Sequence, residues 1–256
     1  MRTMFVVNNI EELFQAFESI KKIIENRRIN GMSKSFTLWY RGQPNNSWQF
    51  IPSIQRGNIK TSEQIVCHSF YHRANQLLDT SIPKRCYDKL ITLMQHYGVP
   101  TRLLDWSYSP LIALFFAVMD EQYINNDACI SVLIPEILNY SQGLEPLIYS
   151  LDSHEAMNIL RGAFYQDSPC KKTIACFPVS NNRRIYAQHA AFTVHGTDVL
   201  IDKVGKLEYL YKVIIPKERK QYFCEFLKVF DIQKNGIFPD LSHIAEYISE
   251  RHLTEL

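Results

Sequence analysis

The sequence predicts an α+β fold, one domain in which a mixed or mainly antiparallel sheet is flanked by helices. Three observations predict it. Helical periodicity fills most of the first half of the chain, strand-like segments concentrate after it, and the regular strand–helix–strand alternation of a doubly wound parallel sheet is absent. The 256 residues are 46% hydrophobic and 21% charged, enough apolar side chain for an ordinary core, which excludes wholesale disorder. No repeat, low-complexity tract or Ser/Gly linker divides the chain. Residues 1–256 are therefore expected to form a single domain, with an N-terminal helix at about 9–28 packed on a core of about 36–250.

Each element has a local reason. Asn9 caps a helix whose apolar residues Ile10, Leu13, Phe14, Phe17, Ile20 and Ile24 follow the 3.6-residue period, with Gly31 beyond its end. The β-favouring run SFTLWYRGQ reads as a strand that Gly42 and Pro44 stop. Helices are expected at 62–80 and 84–97, the second closed by Gly98 and Pro100. TRLLDWS then reads as a short strand or extended turn. Ser109-Pro110 supplies an N-cap and first-turn proline for an apolar helix over 110–119. Strands are expected at 128–135, 185–195 and 207–216, the last alternating through Leu207, Tyr209, Tyr211, Val213 and Ile215, and helices at 217–229 and 241–250.

Composition also bounds function. The 28 Lys+Arg against 26 Asp+Glu give a formal charge of +2, too balanced to mark a polyanion binder, although a local basic groove for nucleic acid stays open. Six scattered cysteines without a CxxC pair predict no structural zinc; His68 and His72 share a helix face but lack a third ligand, so no metal is expected. The opening MRTMFVVNNIEELF lacks a signal-peptide run, and the longest apolar stretch, Leu111–Met119, is nine residues where a membrane span needs about 20. The expectation is a cytoplasmic protein with reduced cysteines and no membrane partner. P-loop, GxSxG and HExxH patterns are absent.

Three clusters carry chemistry. Tyr40-Arg41-Gly42 places a planar cation where a strand breaks at glycine, which suits a phosphate; the other reading is an arginine tied to a carboxylate at a sheet end. Gln95-His96-Tyr97-Gly98-Val99-Pro100-Thr101-Arg102-Leu103-Leu104-Asp105-Trp106-Ser107 is unusually rich in polar groups for a connection between two helices. Its architectural reading pairs Asp105 with Arg102, buries Trp106 and uses Ser109 as a cap. In the third, Arg183 to Thr193, a strand would put Tyr186, Gln188 and Ala190 on one face; a glutamine satisfying backbone groups at a sheet end is the other reading. Lys171-Lys172 and Arg183-Arg184 are basic pairs without interleaved aromatics.

Taken together, Leu38-Trp-Tyr-Arg-Gly-Gln43, the Gln95–Ser107 block with Pro110 and Ala113 to Ala117, Ala187-Gln-x-x-x-Phe192 and Gly236-Ile-Phe-Pro-Asp-Leu241 resemble the FRG domain family, named for its aromatic-Arg-Gly motif and found in bacteria and phages. More distantly, the order of elements is similar to that of the ADP-ribosyltransferase superfamily: an Arg or His on a first strand, a Ser/Thr-bearing second strand before an apolar helix, and a catalytic Glu on a later strand. That resemblance implies an ADP-ribosyltransferase-like fold and NAD as co-substrate. It assigns Arg41, Asp105 and Gln188 to catalysis and Tyr40, Arg41, Gly42, Tyr97, Thr101, Arg102, Trp106 and Ser107 to nucleotide binding. Gln188 stands where the superfamily has Glu; a neutral amide orients a ribose but is no general base, so catalysis would require another carboxylate, for which Asp105 is the candidate, or an activated substrate.

The function expected from this is an ADP-ribosyltransferase-like or NAD-cleaving enzyme, a toxin or antiphage defence effector, acting on an unspecified acceptor macromolecule. Two alternatives stand beside it: a non-catalytic nucleotide-binding or interaction module, and a nucleic-acid-acting protein.

Overall fold

The computed structural model describes residues 4–26, 36–57, 62–165, 170–179, 183–196, 201 and 209–252. Eight strands form one mixed sheet: β1 (Met4–Val6), β2 (Trp39–Gln43), β3 (Leu103–Ser107), β4 (Ala128–Leu133), β5 (Tyr149–Ser150), β6 (Thr173–Phe177), β7 (Ala190–His195) and β8 (Leu210–Ile215). Their order is β1-β8-β4-β2-β3-β7-β6-β5. Only the edge pairs β1–β8 and β5–β6 are parallel; the five interior pairings are antiparallel. The α+β class with a mixed, mainly antiparallel sheet is thus observed.

The helices are α1 (Ile10–Glu25), α2 (Glu63–Ala74), α3 (Tyr87–His96), α4 (Pro110–Val118), α5 (Pro135–Ser141), α6 (His154–Arg161), α7 (Arg183–Ala187), α8 (Lys220–Val229), α9 (Lys234–Ile237) and α10 (Leu241–His252). Asn9 caps α1 by accepting from the Glu12 amide, and the Glu12 carboxylate accepts in return from the Asn8 amide at 2.7 Å. The helix buries Leu13, Ala16, Ile20 and Ile24 and ends at Glu25, three residues before the expected limit; Gly31 lies outside the described residues.

Other boundaries shift for local reasons. The strand expected over 128–135 stops at Leu133, because Pro135 has no amide to continue the ladder and instead starts α5. α2 ends at Ala74, and the Asn75 side chain accepts from the Ile82 amide at 2.7 Å, bracketing a loop where helix was expected. α3 begins only at Tyr87, after Arg85 adopts φ +71°, and Gly98 at φ +72° closes it as expected. The largest departure is 185–195. Arg183–Ala187 is helical, His189 turns the chain at φ +46°, and only Ala190–His195 is strand. Leu207 lies outside the described residues, and its strand is observed over Leu210–Ile215.

Two apolar clusters sit on the sheet. The larger joins α1, α4 and α8 to Trp39, Ile130 and Val213, and continues to Leu104, Trp106, Ala175 and Ala191. The smaller packs Ile91 and Met94 of α3 and Ile159 and Leu160 of α6 on Leu103, Ile174, Phe192 and Val194. Successive residues of β3, β6 and β7 therefore enter opposite clusters, as the two-residue period of a strand requires. In β3 this leaves one exposed position out of five, Asp105. α4 lies directly on β2: a Cβ at Gly42 would stand 1.8 Å from the Ala113 carbonyl oxygen and 2.7 Å from the Ala117 amide nitrogen, so no other residue fits without moving backbone.

The pairing of β2 with its two neighbours is unequal. It matches β4 from Trp39↔Leu133 through Gln43↔Cys129, while β3 matches β7 from Leu103↔Val194 through Ser107↔Ala190. Between β2 and β3 the register holds a single pair, Tyr40↔Ser107. Beyond it the two central strands exchange no ladder bonds. All six cysteines are unpaired thiols, and no helix among the described residues is long and apolar enough to cross a membrane.

Candidate functional site

A cavity of about 530 Å³ opens where β2 and β3 part. Tyr40, Arg41 and Gly42 reach it from β2, Asp105, Trp106 and Ser107 from β3, Ile112, Ala113, Phe115 and Phe116 from α4, and Arg184 and Gln188 from α7 and the turn after it. Lys234, Phe238, Trp48 and Asp120 also line it, with Pro44 and Met119. Ligand cavities of about 300–1,000 Å³ lined by aromatic residues and a few convergent polar groups are the usual form of a small-molecule site.

Arg41 spans the seam. Its Nη1 donates to the main-chain oxygen of Asp105 at 2.6 Å, occupying a carbonyl at the point where the ladder between β2 and β3 has ended. Its Nε is buried and has no hydrogen-bond partner among the described residues. Burial pulls the guanidinium pKa below its ordinary value, the Asp105 carboxylate opposes that shift, and Arg56 adds to it. A half-buried cation with an unused donor is suited to a second anionic acceptor.

Asp105 is held from behind. Its Oδ2 accepts from Gln95 Nε2 at 2.8 Å, Gln95 Oε1 accepts from the Thr101 hydroxyl, and that hydroxyl accepts from the Leu103 amide at 3.2 Å. The polar density of the 95–107 block resolves into this relay, which ends in one carboxylate at the cavity wall. Thr101 is thus a buried support for Asp105 and does not line the cavity.

Gln188 sits in the turn after α7, where the sequence suggested a strand. Its Nε2 makes a long hydrogen bond to the Ile237 carbonyl at 3.4 Å, and its main-chain oxygen accepts from Ser107 Oγ at 2.7 Å. Ser107 Oγ also accepts from the Ser109 amide at 3.0 Å, so this hydroxyl braces the turn before α4. Trp106 donates from Nε1 to Thr193 Oγ1 at 3.0 Å and stacks on Phe50 at 6.0 Å between ring centroids. One of its faces is therefore covered by protein. Tyr40 is half-buried and meets Phe17 edge-on at 5.1 Å.

Tyr97 and Arg102 fall elsewhere. Tyr97 is 66% exposed at the end of α3, edge-on to His96 and outside the cavity lining. Arg102 forms a buried bidentate pair with Glu63, Nε to Oε1 at 2.9 Å and Nη2 to Oε2 at 2.5 Å, and donates from Nη1 to the Ile159 carbonyl at 2.6 Å. The architectural pairing of Asp105 with Arg102 is replaced by two separate arrangements, Arg102 with Glu63 and Asp105 with Gln95 and the charge of Arg41. Lys171 and Lys172 are exposed and do not line the cavity. Among the described residues no group of three or more His, Cys, Asp or Glu is placed to hold a metal ion.

Sequence reasoning missed Arg184, Lys234 and Phe238 as wall residues. Arg184 donates to the His96 carbonyl at 2.9 Å, and its guanidinium stands 4.9 Å from the Phe238 ring centroid. Phe238 in turn stacks on His243 at 4.9 Å. The signals existed in the Arg183-Arg184 pair and the GIFPD segment, but a separation of about fifty residues hides their proximity.

Comparison with known families matches residues 37–126 to the FRG domain, a span containing Tyr40-Arg41-Gly42 and the whole Gln95–Ser107 block. No curated protein and no solved structure matches the chain.

Proposed function

With the FRG domain match spanning both strands of the seam, we propose that the cavity is the working site of an NAD-utilising enzyme that transfers ADP-ribose to an acceptor or cleaves NAD to nicotinamide and ADP-ribose. The carrying observation is the meeting of Arg41, with its unused buried Nε, and the exposed Asp105 carboxylate in one aromatic-walled cavity. Arg41 binds the pyrophosphate, with Arg184 and Lys234 adding positive charge on the far wall. The aromatic walls take the flat rings. Breaking the bond between ribose C1′ and the nicotinamide nitrogen sends its electron pair to the ring and leaves positive charge on the ribose. Asp105 stabilises that charge, and the oxygen of water or of an acceptor hydroxyl bonds to C1′ and loses its proton. The Gln188 amide orients the sugar. NAD depletion of this kind would suit a toxin or an antiphage effector.

A second reading has its own observation. Gln188 is neutral and already donates to Ile237, which favours a site that binds a nucleotide without turning it over. Nicotinamide release from NAD by wild type and Arg41→Ala, with and without lysate as a source of acceptors, separates the two. Turnover is expected in the wild type, with a loss of about 100-fold in the variant, the scale of removing one charge-stabilising donor. Saturable NAD binding without release would select the second reading, and neither binding nor release would remove both.

A further inference from the structure

A second cavity, of about 360 Å³, lies between α2, the turn that leads into α3, and the residues after α6, and shares no wall residue with the seam. Its ring surface is built by Tyr87, stacked on Phe164 at 4.5 Å, and His68, edge-on to Phe164 at 6.1 Å. Lys84 and Arg85 stand exposed at its mouth, and no carboxylate lines it. Neither cation has a hydrogen-bond or ion-pair partner among the described residues.

The backbone adds an independent point. Arg85 has φ +71°, a left-handed conformation that costs any residue with a Cβ and that turns ordinarily assign to glycine or asparagine. A long cation kept in that conformation at the mouth of a cavity fits the tendency of backbone strain to collect at ligand clamps. Stacked rings with unpaired cations beside them offer a planar π surface and a charge for one anionic group.

We infer that this cavity binds a small molecule joining an aromatic ring to a phosphate, of mononucleotide size, held on its ring by Tyr87, which the buried Phe164 backs, and on its phosphate by Lys84 and Arg85. The site is independent of the chemistry proposed at the seam. Cys86, a half-buried free thiol, lines the same cavity and reports its occupancy.

The test uses the full chain with adenosine monophosphate as probe, and adenosine and inorganic phosphate as its two halves. Adenosine monophosphate is expected to slow alkylation of Cys86, mapped by peptide mass, while leaving Cys170 and Cys224 unchanged. By calorimetry in the Arg41→Ala background, which removes the phosphate-binding side chain proposed for the seam, adenosine monophosphate should still bind, and Lys84→Ala and Arg85→Gly should each weaken that binding about tenfold. Both substitutions are at exposed positions, and glycine relieves the φ of residue 85, so folding is preserved. Unprotected Cys86, full affinity in both cation variants, loss of binding in Arg41→Ala, or equal binding by adenosine or by phosphate alone would each overturn the assignment.

Discussion

Arg41 and Arg102 carry the same guanidinium, and their neighbours decide what each does. The Nε, Nη1 and Nη2 groups of Arg102 all donate within the protein, to Glu63 and to Ile159, whereas Arg41 uses Nη1 and leaves Nε without a partner. Glu63→Ala should therefore strand a buried charge and destabilise the fold by about 3 kcal/mol, the lower end for breaking a buried pair because Glu63 retains some exposure. Urea denaturation reads the loss, while nucleotide affinity at the seam stays unchanged; an equal loss of affinity would contradict the structural role of Arg102. His96 makes a pH prediction at the same scale. Burial first, then the positive charge of Arg184, lower its pKa from the ordinary 6.5, with Asp240 opposing. The folded protein then binds fewer protons at this site than the unfolded chain as pH falls below about 6.5, so stability declines on acidification through the window down to the folded value. Unfolding midpoints from pH 7.5 to 5 should show that slope, and His96→Gln should flatten it.

At the scale of elements, the legible parts were those specified by neighbours in sequence. Ser109 accepts from the Ile112 amide and Pro110 opens α4, both as read from the dipeptide, and Asn9 caps α1. β4, apolar except for Ser131, is buried at all six positions. The segment 185–195 was not legible, because alternation from Tyr186 to Ala190 is shared by a strand and by a single helical turn followed by a reversal. The structure contains the latter, with His189 at φ +46°. Seven of the ten site residues read from sequence line one cavity, namely Tyr40, Arg41, Gly42, Asp105, Trp106, Ser107 and Gln188, while Tyr97, Thr101 and Arg102 do not. Thr101 is the instructive case. It touches no cavity wall, yet its hydroxyl fixes Gln95, which holds Asp105. Thr101→Val should lower kcat at the seam by about tenfold with little change in KM, and Thr101→Ser should restore it. A purely structural role would move the unfolding midpoint and leave the serine variant no better than valine in kcat.

At the scale of the molecule, the cavity exists because one sheet is joined at its centre by a single registered pair. β2 is fastened to β4 and β3 to β7 along their lengths, and Tyr40↔Ser107 is the one ladder pair between the two sets, with the Arg41 side chain crossing to the Asp105 carbonyl beyond it. Arg41, Arg184 and Lys234 line this gap together with Asp105 and Asp120, and Arg41 on β2 and Arg184 on α7, which packs on β7, belong to its two sides, so an anionic ligand held by both would bridge them. Binding to the native state alone stabilises it by about 2.7 kcal/mol at a ligand concentration 100 times Kd. Because Arg41 and Gly42 belong to one side and Asp105, Ser107 and Gln188 to the other, that stabilisation must be shared. Hydrogen exchange with saturating NAD, or with ADP-ribose where turnover consumes NAD, should therefore slow amides in β2 and β4 together with those in β3 and β7. Added salt should weaken the binding that produces it, since the attraction is between charges. Protection confined to β3, β7 and β6 would mean that the ligand leaves Arg41 untouched, and the seam would then be a structural joint with its binding site elsewhere.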